Sequence, residues 1–336
     1  MHDNALSERG TTNALLCYAK ILSSAGHDVG ISFYEKNKAN NRDLIRKLNG
    51  EFNLIPYRNF EKFKLRETDA WDRAYWIKSG ENDGKILPGT FNVVHAVFQA
   101  FDPHGQCYIY VSKWLAEEMR RKHENSDLIS NAIREGTKNA GNFEYLPHIV
   151  ERVSSKKSNR NVLRRSLGID EQDIVGIRYG GKDTFDLEIA QRAISRTLIR
   201  KKNLHFVFIN TKKFFEHPRV HYLPTMLNEE MKFEYLAMSD FFIHGRLRGE
   251  SFGLSIAESL VSGLPTFVWI GGIDRNHLEL VPKEFWYEDE EELCELILQS
   301  ESISKKVTIP SMQEFTSKNV EPKLKNFLKL GSASES

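Results

Sequence analysis

The chain has 336 residues, with 47 Lys+Arg against 46 Asp+Glu and a formal net charge of +1. At roughly 100–200 residues per domain this length favours two domains, and 40% hydrophobic with 28% charged residues excludes wholesale disorder. Because the charges nearly cancel, no global basic field exists to collect nucleic acid, and a nucleic-acid binder is disfavoured.

In chain order, Met1-His2-Asp3-Asn4-Ala5-Leu6 has no basic-then-apolar leader and is too short and polar to predict a strand. Residues 13–24 space Leu15, Leu16, Ala19 and Leu22 along one helical face, with Gly26 as a stop. Strand-type runs follow at 29–34, 74–77, 92–97, 108–111 and 144–146. The stretch 152–165 holds Arg152, Lys156, Lys157, Arg160, Arg164 and Arg165 and no acid. It predicts a solvated linker over 151–161 running into a helix, and a weak membrane-surface association is the sharper alternative. Further strands are expected at 174–178, 205–209, 241–244 and 266–269, and 331–336 reads as a polar tail. Strand–helix alternation in two series predicts an α/β protein with two doubly wound domains, 1–150 and 162–310. No apolar run approaches the ~18–20 residues of a membrane span. Cys17, Cys107 and Cys294 are scattered, with no metal or redox pair. A cytoplasmic protein is expected.

Two motifs mislead. Gly176-Ile-Arg-Tyr-Gly-Gly181-Lys182 begins like a nucleotide-binding phosphate loop, but Asp183 stands where a hydroxyl must hold magnesium. What survives is a glycine turn with Lys182 near an expected helix start, a reasonable phosphate cradle. Gly249-Glu250-Ser251-Phe252-Gly253 matches a hydrolase nucleophile elbow, but Gly245–Arg248 separates the expected strand from Ser251, and Asp274 and His277 lie only three positions apart. The same stretch reads better another way. Glu250 and Glu258 flank seven residues, Gly253 suits a loop-to-helix turn, and 254–261 is a helical apolar run ended by Gly263-Leu264-Pro265. Backbone N–H groups of Phe252, Gly253 and Leu254 would then meet an anion such as a diphosphate, and the two carboxylates would accept from sugar and ribose hydroxyls.

This pattern, Gly249-Glu250-Ser251-Phe252-Gly253…Glu258 followed by Gly263-Leu264-Pro265, resembles the E-x7-E signature of glycosyltransferase family 4, retaining enzymes with the GT-B fold. The resemblance implies two Rossmann-like parallel-sheet domains facing across a cleft, with a final helix over 311–330 crossing back to the first. It implies transfer of a hexose from a nucleoside diphosphate sugar, GDP-mannose or a UDP-hexose, to a glycan or glycoconjugate acceptor, without a divalent metal or other cofactor. By the same resemblance Glu250 positions the sugar and Glu258 holds ribose, while Arg178 and Lys182 stabilise the diphosphate. Gly10, in Arg9-Gly10-Thr11-Thr12, stands at the family's first glycine loop, His95 near the transferred sugar, and Thr225, in Tyr222-Leu-Pro-Thr-Met226, beside the base. The chain departs from the family in having one glycine in the first loop and Pro147-His148-Ile149 at the interdomain crossing. An epimerase or hydrolase on the same fold, or a non-catalytic nucleotide-sugar binder, is the alternative. Arg246 and Arg248 read equally as diphosphate contacts or as a solvated turn. The aromatic group Trp71, Tyr75, Trp76, Phe98 and Phe101 is read as core rather than an acceptor platform.

Overall fold

The computed structural model describes residues 1–151, 160–226, 228–303 and 312–330. The expected linker residues 152–159, the start of the crossing segment at 311 and the tail 331–336 lie outside the described residues. Two compact units divide the chain: Met1–Ile149 with the segment from Glu314 onward, and Val150–Gln313.

The first unit contains α1 (Gly10–Ser24), β1 (Gly30–Tyr34), α2 (Arg42–Leu48), β2 (Asn53–Tyr57) and α3 (Phe60–Glu67). These are followed by β3 (Arg73–Lys78), β4 (Phe91–Ala96), β5 (Cys107–Tyr110), α4 (Lys113–His123) and α5 (Asp127–Arg134). All its strand pairs are parallel, β1 with β2 and β3 with β4 and β5. His2 joins the two groups by bridging Ser32 of β1 and Trp76 of β3. Its N–H donates to the Tyr75 carbonyl (2.7 Å), and its carbonyl accepts from Ile77 (3.1 Å). The opening residues, too polar to predict a strand, therefore do a strand's work, because ladder bonds depend on backbone and not on side-chain polarity. Conversely, 144–146 contributes only an isolated bridge between Tyr145 and Tyr110. Tyr75 and Trp76 are buried, as expected of core, and the Trp76 indole donates to Asn92 (2.8 Å). Phe101 stacks on His123 instead, and Phe98 is exposed.

The second unit runs α6 (Arg160–Ser166), β6 (Ile174–Tyr179), α7 (Glu188–Arg200), β7 (Leu204–Ile209), β8 (Val220–Leu223), α8 (Glu229–Met238) and β9 (Phe241–Ile243). It continues with β10 (Gly249–Glu250), α9 (Leu254–Val261), β11 (Thr266–Trp269), β12 (Asp274–Arg275), α10 (Asn276–Leu280), β13 (Trp286–Tyr287) and α11 (Glu290–Ile303). Its main sheet is six parallel strands in the order β13-β11-β9-β6-β7-β8. Every residue of β6, β7 and β9 is buried, the near-continuous apolar pattern of a sheet covered on both faces. The last helix, α12 (Ser317–Phe327), belongs to the first unit and buries Val320, Leu324 and Phe327 there.

Two of the basic residues near the boundary share one carboxylate, Asp240. Arg164 is fully buried, its Nε on the Met238 carbonyl (2.9 Å) and its Nη2 on Asp240 (2.8 Å), and Arg160 also pairs with Asp240 (2.7 Å). They fasten α6 to the end of α8, and the burial of Arg164 removes one of the six cations from a surface reading of that stretch.

Candidate functional site

The second unit's candidate residues follow the carboxyl ends of parallel strands, where open α/β sheets bind ligands. Beyond β9, the chain turns through Gly245 to the two-residue β10, which pairs in parallel with β12. Gly249 sits at φ +76°, and a Cβ there would collide with the Asp274 carbonyl oxygen, so this turn admits only glycine. Glu250 comes next, its backbone pinned in the short ladder.

The Glu250 carboxylate is held from two sides. Arg246 Nη1 donates to Oε2 (3.0 Å), and His244 Nε2 lies 3.3 Å from Oε1. Since a carboxylate only accepts, His244 carries its proton on Nε2. The Glu250 N–H in turn meets His277 Nδ1 (3.3 Å), while His277 Nε2 donates to the Trp269 carbonyl (2.9 Å). Burial opposes ionisation of Glu250, but the His244 hydrogen bond and the neighbouring charges, Arg246 among them, outweigh it and hold the carboxyl below its ordinary range. His277 is pushed down to about 4, by burial first and then by the charge of His244. Both ring nitrogens of His277 are thus committed to backbone groups, so it is not placed as a base for Ser251. Asp274 pairs with Arg248 (2.6 Å). The hydrolase reading finds no triad here.

Helix α9 begins at Gly253, whose φ of +89° is left-handed and leaves the helix without a side-chain cap. The uncapped first turn presents backbone N–H groups, an electropositive end suited to an anion. Asn276 Nδ2 donates to the Phe252 carbonyl (2.6 Å) and fixes the approach to that turn. Glu258, in the second turn, is 6% exposed. Its Oε1 accepts from Lys232 Nζ (2.6 Å), and its Oε2 is buried with no hydrogen-bond partner among the described residues. Lys232 lies on α8, is itself 1% exposed and also reaches Glu229 (3.1 Å).

The loop after β6 is organised by Arg178, which is buried. Its Nη1 donates to Thr211 Oγ1 (2.7 Å) and the Asn210 carbonyl (3.2 Å), and its Nη2 to Thr184 Oγ1 (2.6 Å) and the Gly181 carbonyl (2.9 Å). Burial lowers its pKa to about 10, against the raising influence of Glu250. Arg178 knits its own loop rather than projecting from it. Lys182 is exposed and makes no side-chain hydrogen bond or ion pair among the described residues. It stands six residues before α7 and not at its start, because the chain first runs through Phe185 and Leu187, whose N–H donates to the Gly245 carbonyl (3.1 Å). Gly176 of the apparent phosphate loop lies inside β6. After β8, Thr225 is partly exposed, with its hydroxyl buried and unpartnered among the described residues.

In the first unit, Gly10 opens α1 directly after Arg9. Asp3, buried beside this turn, accepts from Arg9, Thr11 (3.2 Å) and Thr12 (2.8 Å). His95 is 0% exposed and pairs its Nδ1 with the Tyr75 hydroxyl. Burial, partly offset by the backbone of Tyr110 and Leu146, pushes it down to about 3. Expected from the sequence near a sugar, His95 lies within β4, which continues to Ala96, and its Nε2 is buried without a hydrogen-bond partner among the described residues. Sequence reasoning missed Lys232, His244 and His277 as members of the site. Their only signal is topological, since β9, α8 and α10 surround the Glu250–Glu258 segment. Among the described residues no group of three His, Cys, Asp or Glu side chains is placed to hold a metal, and no helix is long and apolar enough to cross a membrane.

No family model and no curated protein sequence matches the chain. Solved structures do. The Anabaena protein HepE, determined with UDP and glucose, is similar at 13% identity over 98% of both chains, with a TM-score of 0.70. A glycosyltransferase from Rickettsia africae is similar at 11% identity over 98% of both chains, with a TM-score of 0.68. A provisional UDP-N-acetylglucosamine 2-epimerase from Listeria monocytogenes matches at 9% identity over 99% of this chain and 97% of its own, with a TM-score of 0.55. With its two parallel-sheet Rossmann-like units, the chain has the GT-B fold that glycosyltransferases use.

Proposed function

We propose that this protein is a glycosyltransferase that moves a hexose from a nucleoside diphosphate sugar to a hydroxyl of a glycan or glycoconjugate acceptor, with retention. The observation that carries the reading is the arrangement around α9: an uncapped helix start between two carboxylates, one of which keeps a buried oxygen unpartnered among the described residues. A diphosphate matches the helix start, and vicinal hydroxyls match the carboxylates. UDP bound to HepE and a UDP-sugar name on the Listeria neighbour favour a UDP-hexose over GDP-mannose as donor.

In this reading Glu258 accepts from the ribose hydroxyls, and Thr225, after β8 in the same unit, offers its hydroxyl, unpartnered among the described residues, to the base. The exposed Lys182 ammonium and the N–H groups at Ser251, Phe252, Gly253 and Leu254 receive the charge that develops as the diphosphate departs. Arg178 acts as a positioning residue by shaping the loop that carries Lys182. Glu250 orients the transferred sugar through its hydroxyls. The leaving phosphate takes the acceptor proton on the same face, which gives retention without a covalent intermediate. The chemistry requires no metal, and location in the cytoplasm supplies the nucleotide sugars.

Calorimetric titration with UDP-, GDP-, ADP- and dTDP-hexoses tests the donor. UDP-hexose binding is the expected outcome, weakened by about tenfold or more in Glu258→Ala, since a hydrogen bond to a charged group contributes about 1.5–3 kcal/mol. Unaltered binding by that variant counts against the site. Transfer should survive excess EDTA, and the first-formed anomer, read by proton NMR, should match the donor's; an inverted product or EDTA-abolished transfer overturns those parts of the proposal. The Listeria likeness keeps an epimerase as the second reading, and epimerised sugar formed without acceptor would favour it.

A further inference from the structure

A buried carboxylate has two ways to lower its energy: take up a proton, or find a cation. Glu258 has found one. Lys232, 1% exposed, reaches it with Nζ 2.6 Å from Oε1. The same ammonium lies over the rings of Tyr179 (5.4 Å) and Phe233 (5.2 Å) and is joined from the protein's edge by Glu229, at 3.2 Å and 3.1 Å from its two oxygens. Burial works against the charge on Lys232, but Glu258, Tyr179 and Glu229 outweigh it and hold the ammonium protonated beyond its ordinary range; burial, aided by Glu229, pushes the Glu258 carboxyl up, and the Lys232 charge and hydrogen bond are what pull against that rise. A lysine so deeply placed is costly unless each partner is in position, and here the partners come from three elements: α8 itself, β6 and α9.

The pairing is one-sided. Lys232 engages Oε1 only, and Oε2 stays buried and unpartnered among the described residues. A carboxylate satisfied at both oxygens would have little to offer a ligand, and one with no cation nearby would be protonated and a poor acceptor. We infer that Lys232 is a positioning residue for donor recognition: it fixes Glu258 as an anion in one rotamer with Oε2 aimed at an incoming pair of vicinal hydroxyls, those of a ribonucleotide. The inference deepens the proposed function and depends on it. It assigns the discrimination between ribose and 2′-deoxyribose donors to a residue on α8 that need not itself touch the sugar.

The test compares UDP-glucose with its 2′-deoxyuridine counterpart in wild-type protein, Lys232→Gln, Lys232→Arg and the double variant Lys232→Gln/Glu258→Gln. Wild type should prefer the ribonucleotide by about tenfold or more, the scale of one charge-assisted hydrogen bond. Lys232→Gln should raise the UDP-glucose Kd by at least that factor and bring the preference close to one, with kcat at saturating donor changed far less than KM. Lys232→Arg, which keeps the cation, should restore much of the preference. The double variant removes both charges together, so it separates recognition from folding: it should melt closer to wild type than Lys232→Gln does while still lacking the preference. Retention of the full ribose preference in folded Lys232→Gln overturns the inference while leaving the donor reading intact. Failure of wild-type protein to bind any nucleoside diphosphate sugar overturns both.

Discussion

Glu250 occupies a position where the backbone and side chain are both over-determined. Arg246 and His244 hold its carboxylate, His277 takes its N–H, and the ladder to Asp274–Arg275 fixes its Cα. A group held this firmly is suited to orienting a reacting sugar, where an error near 1 Å costs about 100-fold in rate. Glu250→Gln should therefore lower kcat by about 100-fold while the donor Kd stays within about threefold; an equal loss in both, measured by steady-state kinetics and calorimetry, would make Glu250 a general binding residue instead. The two glutamates were legible in the sequence because their relation is local, a fixed spacing across one turn and one helix. Lys232, His244 and His277 were not, since nothing in a chain marks which lysine 26 positions away will meet Glu258. Arg178 stands in the expected place after β6, and its surroundings were not legible: its Nη groups serve Thr211, Thr184 and two carbonyls. His95 likewise stands at the expected point in the chain but is enclosed by Tyr18, Tyr75 and His148.

The short ladder between β10 and β12 is the element on which the Glu250 site depends, and Gly249 is its weakest point. Its φ of +76° and the Asp274 carbonyl where a Cβ would go combine two penalties. Gly26 offers a control, with φ +87° but nothing within 4 Å of its ideal Cβ. Gly26→Ala should cost about 1–2 kcal/mol, the left-handed penalty alone, whereas Gly249→Ala should cost at least about 2 kcal/mol more and displace Glu250. Urea denaturation of both variants measures the difference, and equal losses would show that the turn relaxes freely. Among the strands, those in the middle of the main sheet were readable because burial on both faces leaves an uninterrupted apolar run, as in Phe206-Val207-Phe208-Ile209 of β7. Edge and half-covered strands carry no such run. β2 contains Pro56 and exposes two of its five residues, β8 is mostly half-buried, and β10 and β12 are two residues each. These are set by their neighbours, and so is the bridge made by His2.

Both units keep neutral histidines in their interiors, and this sets how the whole protein responds to acid. In the first, His95 is pushed down to about 3 and the adjacent His148, 6.1 Å away between ring centres, is also held well below its ordinary value, in both cases by burial. In the second, His277 is pushed down to about 4. Each is depressed in the folded state relative to an unfolded histidine near 6.5. Between those values the unfolded chain binds more protons than the folded one, so stability rises with pH there. The contribution is complete above about pH 6.5 and is lost as pH falls toward the folded values. Each such histidine removes up to about 1.4 kcal/mol per pH unit in that window. Glu250, held below its ordinary range, acts in the same direction but only at lower pH, as the solution approaches its unfolded value near 4.5. Calorimetric melting should therefore show little change from pH 8 to 7 and a steep loss from pH 6.5 to 5. His95→Gln, which cannot be protonated in this range, should flatten that slope even if it lowers stability at pH 8. A wild-type melting temperature constant from pH 8 to 5, or a slope unchanged by His95→Gln, would mean that these rings do not stay neutral in the fold.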